Sequence, residues 1–269
     1  MLQYRVFQLT RAIRFAIPPA GDPPGSKPRH ANGHAGWPAI ESVGSRWIEM
    51  RVTLAGELDP ASSYLRNIKQ IDERARALAL PIIQQCVQQH APGFDLPLRL
   101  HHHLQGTWAG ARVVAVALAL SPYTEISVRE EELPMVRLAH RFEFSAAHRL
   151  HNPNLTDAEN RAMFGKCNNP HGHGHNYELQ VTVAGPIRAD GRIIEIDQLE
   201  RIVDDAVIQP FDHKHLNIEV CDFAELNPSV EHIAQTIFRR LKPRCADRQI
   251  RLASVIVWET PKTFAEYSE

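Results

Sequence analysis

The stretch NYELQVTVAGPIRADG, Asn176 to Gly191, decides the fold. Apolar and polar residues alternate from Tyr177 to Val183 and then stop at Gly185, which is the pattern of a half-buried β-strand. A second stretch, WIEMRVTLAGELDP from Trp47 to Pro60, reads the same way, and EMRVTLAG matches ELQVTVAG at Glu, Val, Thr, Ala and Gly. Working outward, an Ile-Asp pair opens a helical pattern after each strand, at Ile71-Asp72 and at Ile196-Asp197. Each half then has a late β-rich run, Ala111 to Ser121 and Ile250 to Glu259, and a short final strand, Glu125 to Arg129 and Phe264 to Tyr267. A further helix starts near Pro228, with Asn227 as its expected N-cap and Val230, Ile233, Ala234, Ile237, Phe238 and Leu241 as its buried stripe. Each half therefore reads β-β-α-α-β-β, an internal duplication with a boundary near Glu132 to Met135.

The 269 residues suit one large domain or two ordinary ones, and a formal net charge of -1 gives no global field toward nucleic acid or membrane. The longest apolar run, Val113 to Leu120, is too short to span a bilayer, and the opening residues lack a secretory pattern. Cys86, Cys167, Cys221 and Cys245 form no CxxC, so reduced thiols and a cytoplasmic location are expected. The Pro- and Gly-rich segment from Pro18 to Pro38 reads as a long mobile loop between two strands of the first half.

Chemistry concentrates just before the deciding strand, in KCNNPHGHGHNY, Lys166 to Tyr177. Side chains alternate along a strand, so His173 and His175 project the same way, with a glycine between them to admit a metal and substrate close to the backbone. Antiparallel pairing with the preceding strand, HRFEFSAAHRL, brings His148 alongside, giving three imidazoles for a metal. Cys167 has two readings here: a fourth ligand that closes the site, or an acid or base beside an open metal. The first half has no such set. Its HHH tract, His101 to His103, reads as exposed and without partners.

The run FSAAHRLHNPNLTDAENRAMFGKCNNPHGHGHNYELQVTVAG, followed in order by FDHKHLN, NPSVEHIA and VWETP, resembles the 6-pyruvoyl-tetrahydropterin synthase and 6-carboxytetrahydropterin synthase family. The resemblance spans about residues 138 to 268. It implies an α+β fold of two tandem tunnelling-fold (T-fold) units, each an antiparallel sheet with two helices on one face: a degenerate repeat without a metal site over 1–134 and a catalytic domain over 135–269. It implies zinc on His148, His173 and His175, a catalytic Cys167 with Asp212 and His213, and pterin binding by Glu259 and Glu231. His215 is the second choice for His213. The implied reaction converts 7,8-dihydroneopterin triphosphate to 6-pyruvoyl-tetrahydropterin with loss of triphosphate, as in tetrahydrobiopterin biosynthesis. A carboxy product, as in queuosine biosynthesis, is the alternative, and a non-catalytic pterin- or zinc-binding scaffold is a third. Cys167-x5-His173 matches the pyruvoyl type, while Cys167-x3-His171 offers the carboxy register. The resemblance also implies a homo-oligomer with active sites at its interfaces, and neither nucleic acid nor membrane as a partner.

Overall fold

The computed structural model describes residues 6–17, 44–90, 93–106, 108 and 110–269. The expected loop from Pro18 to Pro38 lies outside the described residues. The chain divides into two compact units, Met1–Leu138 with Pro186–Ile193, and Ala139–Gly185 with Ile194–Glu269.

In the first unit the elements are β1 (Phe7–Ile17), β2 (Arg46–Gly56), α1 (Ile68–Gln88), α2 (Leu96–Leu104), β3 (Ala111–Ala119) and β4 (Thr124–Arg129). The strands are antiparallel and lie in sequence order. Alternation sets the core face: Ile13, Phe15 and Ile17 of β1 and Ile48, Met50, Val52 and Leu54 of β2 are buried. Helix α1 covers that face with Ile71, Ala75, Ala79, Ile83 and Cys86. It begins one turn before the expected Ile71-Asp72, because the Asn67 side chain accepts the Lys69 N–H at 2.9 Å and caps the helix there. Asp72 instead takes both ends of the Arg11 guanidinium, each at 2.6 Å, tying α1 to β1. The histidine tract is not uniformly exposed. It lies on α2, where His101 shares the inward face with Leu100 and Leu104, and its Nε2 meets the Val113 carbonyl at 3.0 Å.

The second unit holds most of β5 (Val136–His148), then α3 (Asp157–Phe164), β6 (His173–Gly185), α4 (Ile196–Val203), a π-helical turn (Asp204–Ile208), α5 (Gln209–Phe211), β7 (Lys214–His215), α6 (Leu216–Glu219), α7 (Val230–Ala246), β8 (Arg251–Thr260) and β9 (Thr263–Tyr267). The sheet order is β5-β6-β8-β9, with the two-residue β7 parallel to the end of β5. Two long helical segments, α4 and α7, lie between β6 and β8, but short helices interrupt the simple β-β-α-α-β-β order. Helix α7 buries the expected stripe, Val230, Ile233, Ala234, Ile237, Phe238 and Leu241. The valine, isoleucine, phenylalanine and leucine side chains of that stripe contribute roughly 1.5–3 kcal/mol each when fully buried. Its N-cap is Ser229 rather than Asn227: the Ser229 hydroxyl accepts the His232 N–H, and Pro228 stays outside the helix with its carbonyl turned to His148. Among the described residues no helix is long and apolar enough to cross a membrane.

Candidate active site

Strand β5 ends at His148 and β6 begins at His173, so the two neighbouring strands bring their histidines together at one end of the sheet. His148 Nε2 lies 3.1 Å from His173 Nε2, and the His173 and His175 rings stand 4.8 Å apart by centroid. Glu259, near the end of β8, joins them: its Oε1 is 3.2 Å from His148 Nε2 and 3.5 Å from His175 Nε2. One ligand atom from each of these four side chains fits within 4.8 Å of all the others. Among the described residues this is the only group of three or more such side chains placed to share an ion.

The protonation pattern favours a cation. His148 is fully buried, and its Nδ1–H donates to the Pro228 carbonyl at 2.7 Å, which leaves a lone pair on Nε2 facing the cluster. Burial pushes its pKa down to about 4, helped by the neighbouring histidines and opposed by the Pro228 bond. Burial and His175 also lower the pKa of His173, against the pull of Glu259. His175 Nε2 is buried without a hydrogen-bond partner among the described residues. Converging lone pairs and a carboxylate oxygen repel one another unless a positive charge lies between them, and three nitrogens with one oxygen suit zinc. The residues present fit such a metal.

Cys167 is held near the end of β5 by its backbone. The Thr156–Glu159 capping box starts α3, and the chain then turns through Gly165–Asn168. The Leu150 N–H donates to the Cys167 carbonyl at 2.9 Å, and the Arg149 guanidinium binds Asn168 Oδ1. Cys167 acts electrostatically on the Tyr177 hydroxyl. Tyr177 itself is fully buried, and its hydroxyl lacks a partner among the described residues. Burial, then Glu259 and Cys167, push its pKa well above the usual phenol range. The residue was not among the expected site residues, although strand period places it on the face of His173 and His175.

The tight approach of protein atoms in this stretch is at Gly172, not at Gly174 between His173 and His175. A Cβ on Gly174 would find its nearest neighbour, the Ala146 carbonyl, at 3.7 Å. Gly172 has a φ of +74°, and a Cβ there would meet His215 Nε2 at 2.6 Å and the His148 carbonyl oxygen at 2.9 Å. His171 is exposed in the turn before His173.

Asp212 and His213 follow the π-helical turn and clamp onto β5. Ser145 N–H donates to Asp212 Oδ1 at 2.8 Å, and the His213 N–H returns a bond to the Ser145 carbonyl at 2.6 Å. The His213 Nδ1–H donates to Asp212 Oδ2 at 2.7 Å. The Ser145 N–H and the His213 ring hold the Asp212 carboxyl below its ordinary range. The His213 ring is 83% exposed, and among the described residues no hydrogen bond or ion pair joins it to Cys167 or the histidine cluster. His215 is the histidine of this segment that lies by Gly172 and whose charge reaches His148. Glu231 is exposed in the first turn of α7, where Ser229 lowers its pKa, and no hydrogen bond or ion pair joins it to the cluster.

An α+β unit in which three histidines and a glutamate converge has the side chains to hold a metal ion, as metal-dependent enzymes do. The family model described as 6-pyruvoyl tetrahydropterin synthase matches residues 137–269. A 6-pyruvoyl tetrahydrobiopterin synthase from Drosophila melanogaster is 41% identical over 135 residues, covering 50% of this chain and 80% of that protein. A 6-carboxy-5,6,7,8-tetrahydropterin synthase from Haemophilus influenzae is 31% identical over 156 residues, covering 50% of this chain and 100% of that protein. The solved 6-pyruvoyl tetrahydropterin synthase of Caenorhabditis elegans aligns with a TM-score of 0.48 at 35% identity, covering 51% of this chain and 96% of that one. The chain belongs to the 6-pyruvoyl tetrahydropterin synthase family.

Proposed function

We propose that this protein is a zinc-dependent pterin synthase that converts 7,8-dihydroneopterin triphosphate to 6-pyruvoyl-tetrahydropterin and triphosphate. The observation that carries the reading is the convergence of His148, His173, His175 and Glu259 on one point beside Cys167. When bound, zinc supplies Lewis-acid polarisation of the substrate's side-chain hydroxyl oxygens, which acidifies the adjacent carbon-bound hydrogen. His148, His173 and His175 hold it. The Cys167 thiolate accepts the carbon-bound proton, and His213, oriented by Asp212, delivers or returns a proton. Triphosphate departs as the leaving group, and the electron pairs lost by the side chain reduce the pterin ring, so no external oxidant or reductant enters. Glu259 accepts the ring N–H and amino group as a bidentate pair, and Glu231 assists at the pterin.

The exposure of the Asp212–His213 pair favours an active site completed between copies of the chain, in a homo-oligomer. The chain is read as two tandem T-fold units, 1–134 without a metal site and 135–269 catalytic. A carboxy product from the same substrate is the second reading, favoured by the likeness to the Haemophilus influenzae protein along its whole length. Product analysis after incubation of the zinc-loaded protein with 7,8-dihydroneopterin triphosphate tests both. A pyruvoyl pterin with triphosphate is expected; a carboxylated pterin with acetaldehyde would move the assignment to the second reading.

A further inference from the structure

We propose that the Arg149 guanidinium and the Asn168 side chain form a clamp that positions Cys167 for proton transfer. Both are then positioning residues for the reaction read above. The inference deepens that reading and rests on it.

The clamp is built from what flanks the cysteine. A thiol on a fixed backbone has a single side-chain torsion with staggered positions, so the backbone decides where the sulfur can stand. The Cys167 peptide is tied on its carbonyl side, where the Leu150 N–H donates to the oxygen at 2.9 Å. The next residue, Asn168, is 7% exposed. Its Oδ1 accepts Arg149 Nε at 3.0 Å and Nη2 at 2.8 Å, with His151 Nδ1 at 3.3 Å. A guanidinium has donors and no acceptor, so the amide has to turn its oxygen to these nitrogens. The peptide oxygen of Cys167 and the side chain that follows it are thus both anchored to the residues just after β5.

Arg149 can serve as an anchor because it is itself held. Its N–H donates to Asn217 Oδ1 at 2.8 Å, and its carbonyl accepts Asn217 Nδ2 at 3.0 Å, so one amide side chain grips the Arg149 peptide at both ends. The His151 N–H donates to Asn227 Oδ1 at 3.1 Å. Asn217 lies in α6, just after Asp212 and His213 in the chain. Arg149 is therefore the joint between the two segments that carry the proton-transfer groups.

The clamp works by shape more than by charge. Among the described residues Arg149 has no carboxylate partner, and its fork is committed to a neutral oxygen. Asn168 Nδ2 makes no hydrogen bond among the described residues, so an aspartate here would break nothing and would hold the fork more strongly. A lysine at 149 would keep the charge and lose the fork.

The test uses the full zinc-loaded chain with two separate readouts: amide hydrogen exchange at Leu150, and turnover of 7,8-dihydroneopterin triphosphate. The Leu150 N–H reports its bond to Cys167 directly and needs no substrate. Asn168→Ala and Arg149→Ala should each speed that exchange by about tenfold or more. Each should lower kcat by roughly 10–100-fold while KM stays within about twofold. The double variant should be no slower than either alone, because each change removes the same clamp. Arg149→Lys should behave like Arg149→Ala, and Asn168→Asp should recover most of the protection and turnover. Circular dichroism and elemental analysis check fold and zinc; if an alanine variant does not fold, the contrast between Arg149→Lys and Asn168→Asp decides. Wild-type exchange at Leu150 in Asn168→Ala would overturn the proposal. So would additive losses in the double variant, or an Arg149→Lys protein indistinguishable from wild type. A wild type inactive toward the pterin triphosphate would strike the synthase reading, and exchange at Leu150 would then decide the clamp by itself.

Discussion

Replacing Gly172 by alanine should damage the site while replacing Gly174 should not, although both glycines flank His173. At Gly172 the φ of +74° lies in the left-handed region, where an L-residue loses roughly 1–2 kcal/mol. The added Cβ would also sit 2.6 Å from His215 Nε2 and 2.9 Å from the His148 carbonyl oxygen. The imidazole can swing aside; the carbonyl belongs to the backbone of β5 and cannot, so overpacking adds about 1–3 kcal/mol. The expected total is a loss of roughly 2–5 kcal/mol in urea unfolding of the metal-free protein. Relief of the overlap moves the residue that carries a ligand, so zinc affinity in a chelator competition should fall by about tenfold or more. Gly174→Ala is the control. Its Cβ has only a 3.7 Å contact and no left-handed backbone, so stability should change by less than about 0.5 kcal/mol and zinc affinity should hold. Equal effects of the two substitutions, or a Gly172→Ala protein indistinguishable from wild type, would refute the placement of His148 against this turn.

Cys167→Ala should retain zinc by elemental analysis yet lose turnover by about 10²–10⁴-fold, as removal of a proton acceptor does; zinc lost together with activity would make Cys167 a ligand. Tyr177→Phe removes a buried hydroxyl that has no partner among the described residues, so thermal stability should stay level or rise while turnover drops. A marked loss of stability would show that the hydroxyl has a structural partner. In the metal-free protein His148 has a folded pKa of about 4 against 6.5 when exposed. The unfolded chain then binds the proton first, so stability is full above pH 6.5 and declines as the pH falls toward 4, by up to about 3 kcal/mol. His148→Gln should flatten that part of the pH profile measured by urea midpoints, and an unchanged slope would place the titration elsewhere.

Much of the site follows from two periods visible in the chain. Alternation puts His173 and His175 on one face, and consecutive antiparallel strands bring His148 to them. The same alternation contains Tyr177, which stays hidden among ordinary strand aromatics because only the folded site shows a hydroxyl without a partner. The arrival of Glu259 depends on the register of β8 against β6, a long-range pairing that no local pattern encodes. The start of α7 was displaced by two residues because Asn227-Pro228 is a sound local helix opening, and tertiary demand for the Pro228 carbonyl overrides it. The π-helical turn at Asp204–Ile208 likewise breaks a clean helical stripe without any glycine or proline inside it to announce the change. In the first unit, His101 shows how a polar tract at helical spacing sends one member inward while its neighbours stay wet.

Ser145 and His148 lie three residues apart on β5, one gripping the Asp212–His213 pair through its peptide and the other facing His173. That short span works as a gauge block: it sets the distance between two pieces of chemistry by covalent geometry alone. A single inserted or deleted residue between them would turn one of the two to the wrong side of the sheet. The segment from Leu150 to Asn168, which carries α3, by contrast has only to return Cys167 to its place. Drift in the family's architecture should therefore accumulate in that segment and leave the three-residue interval alone, and a designer has the segment, not the strand, to work with.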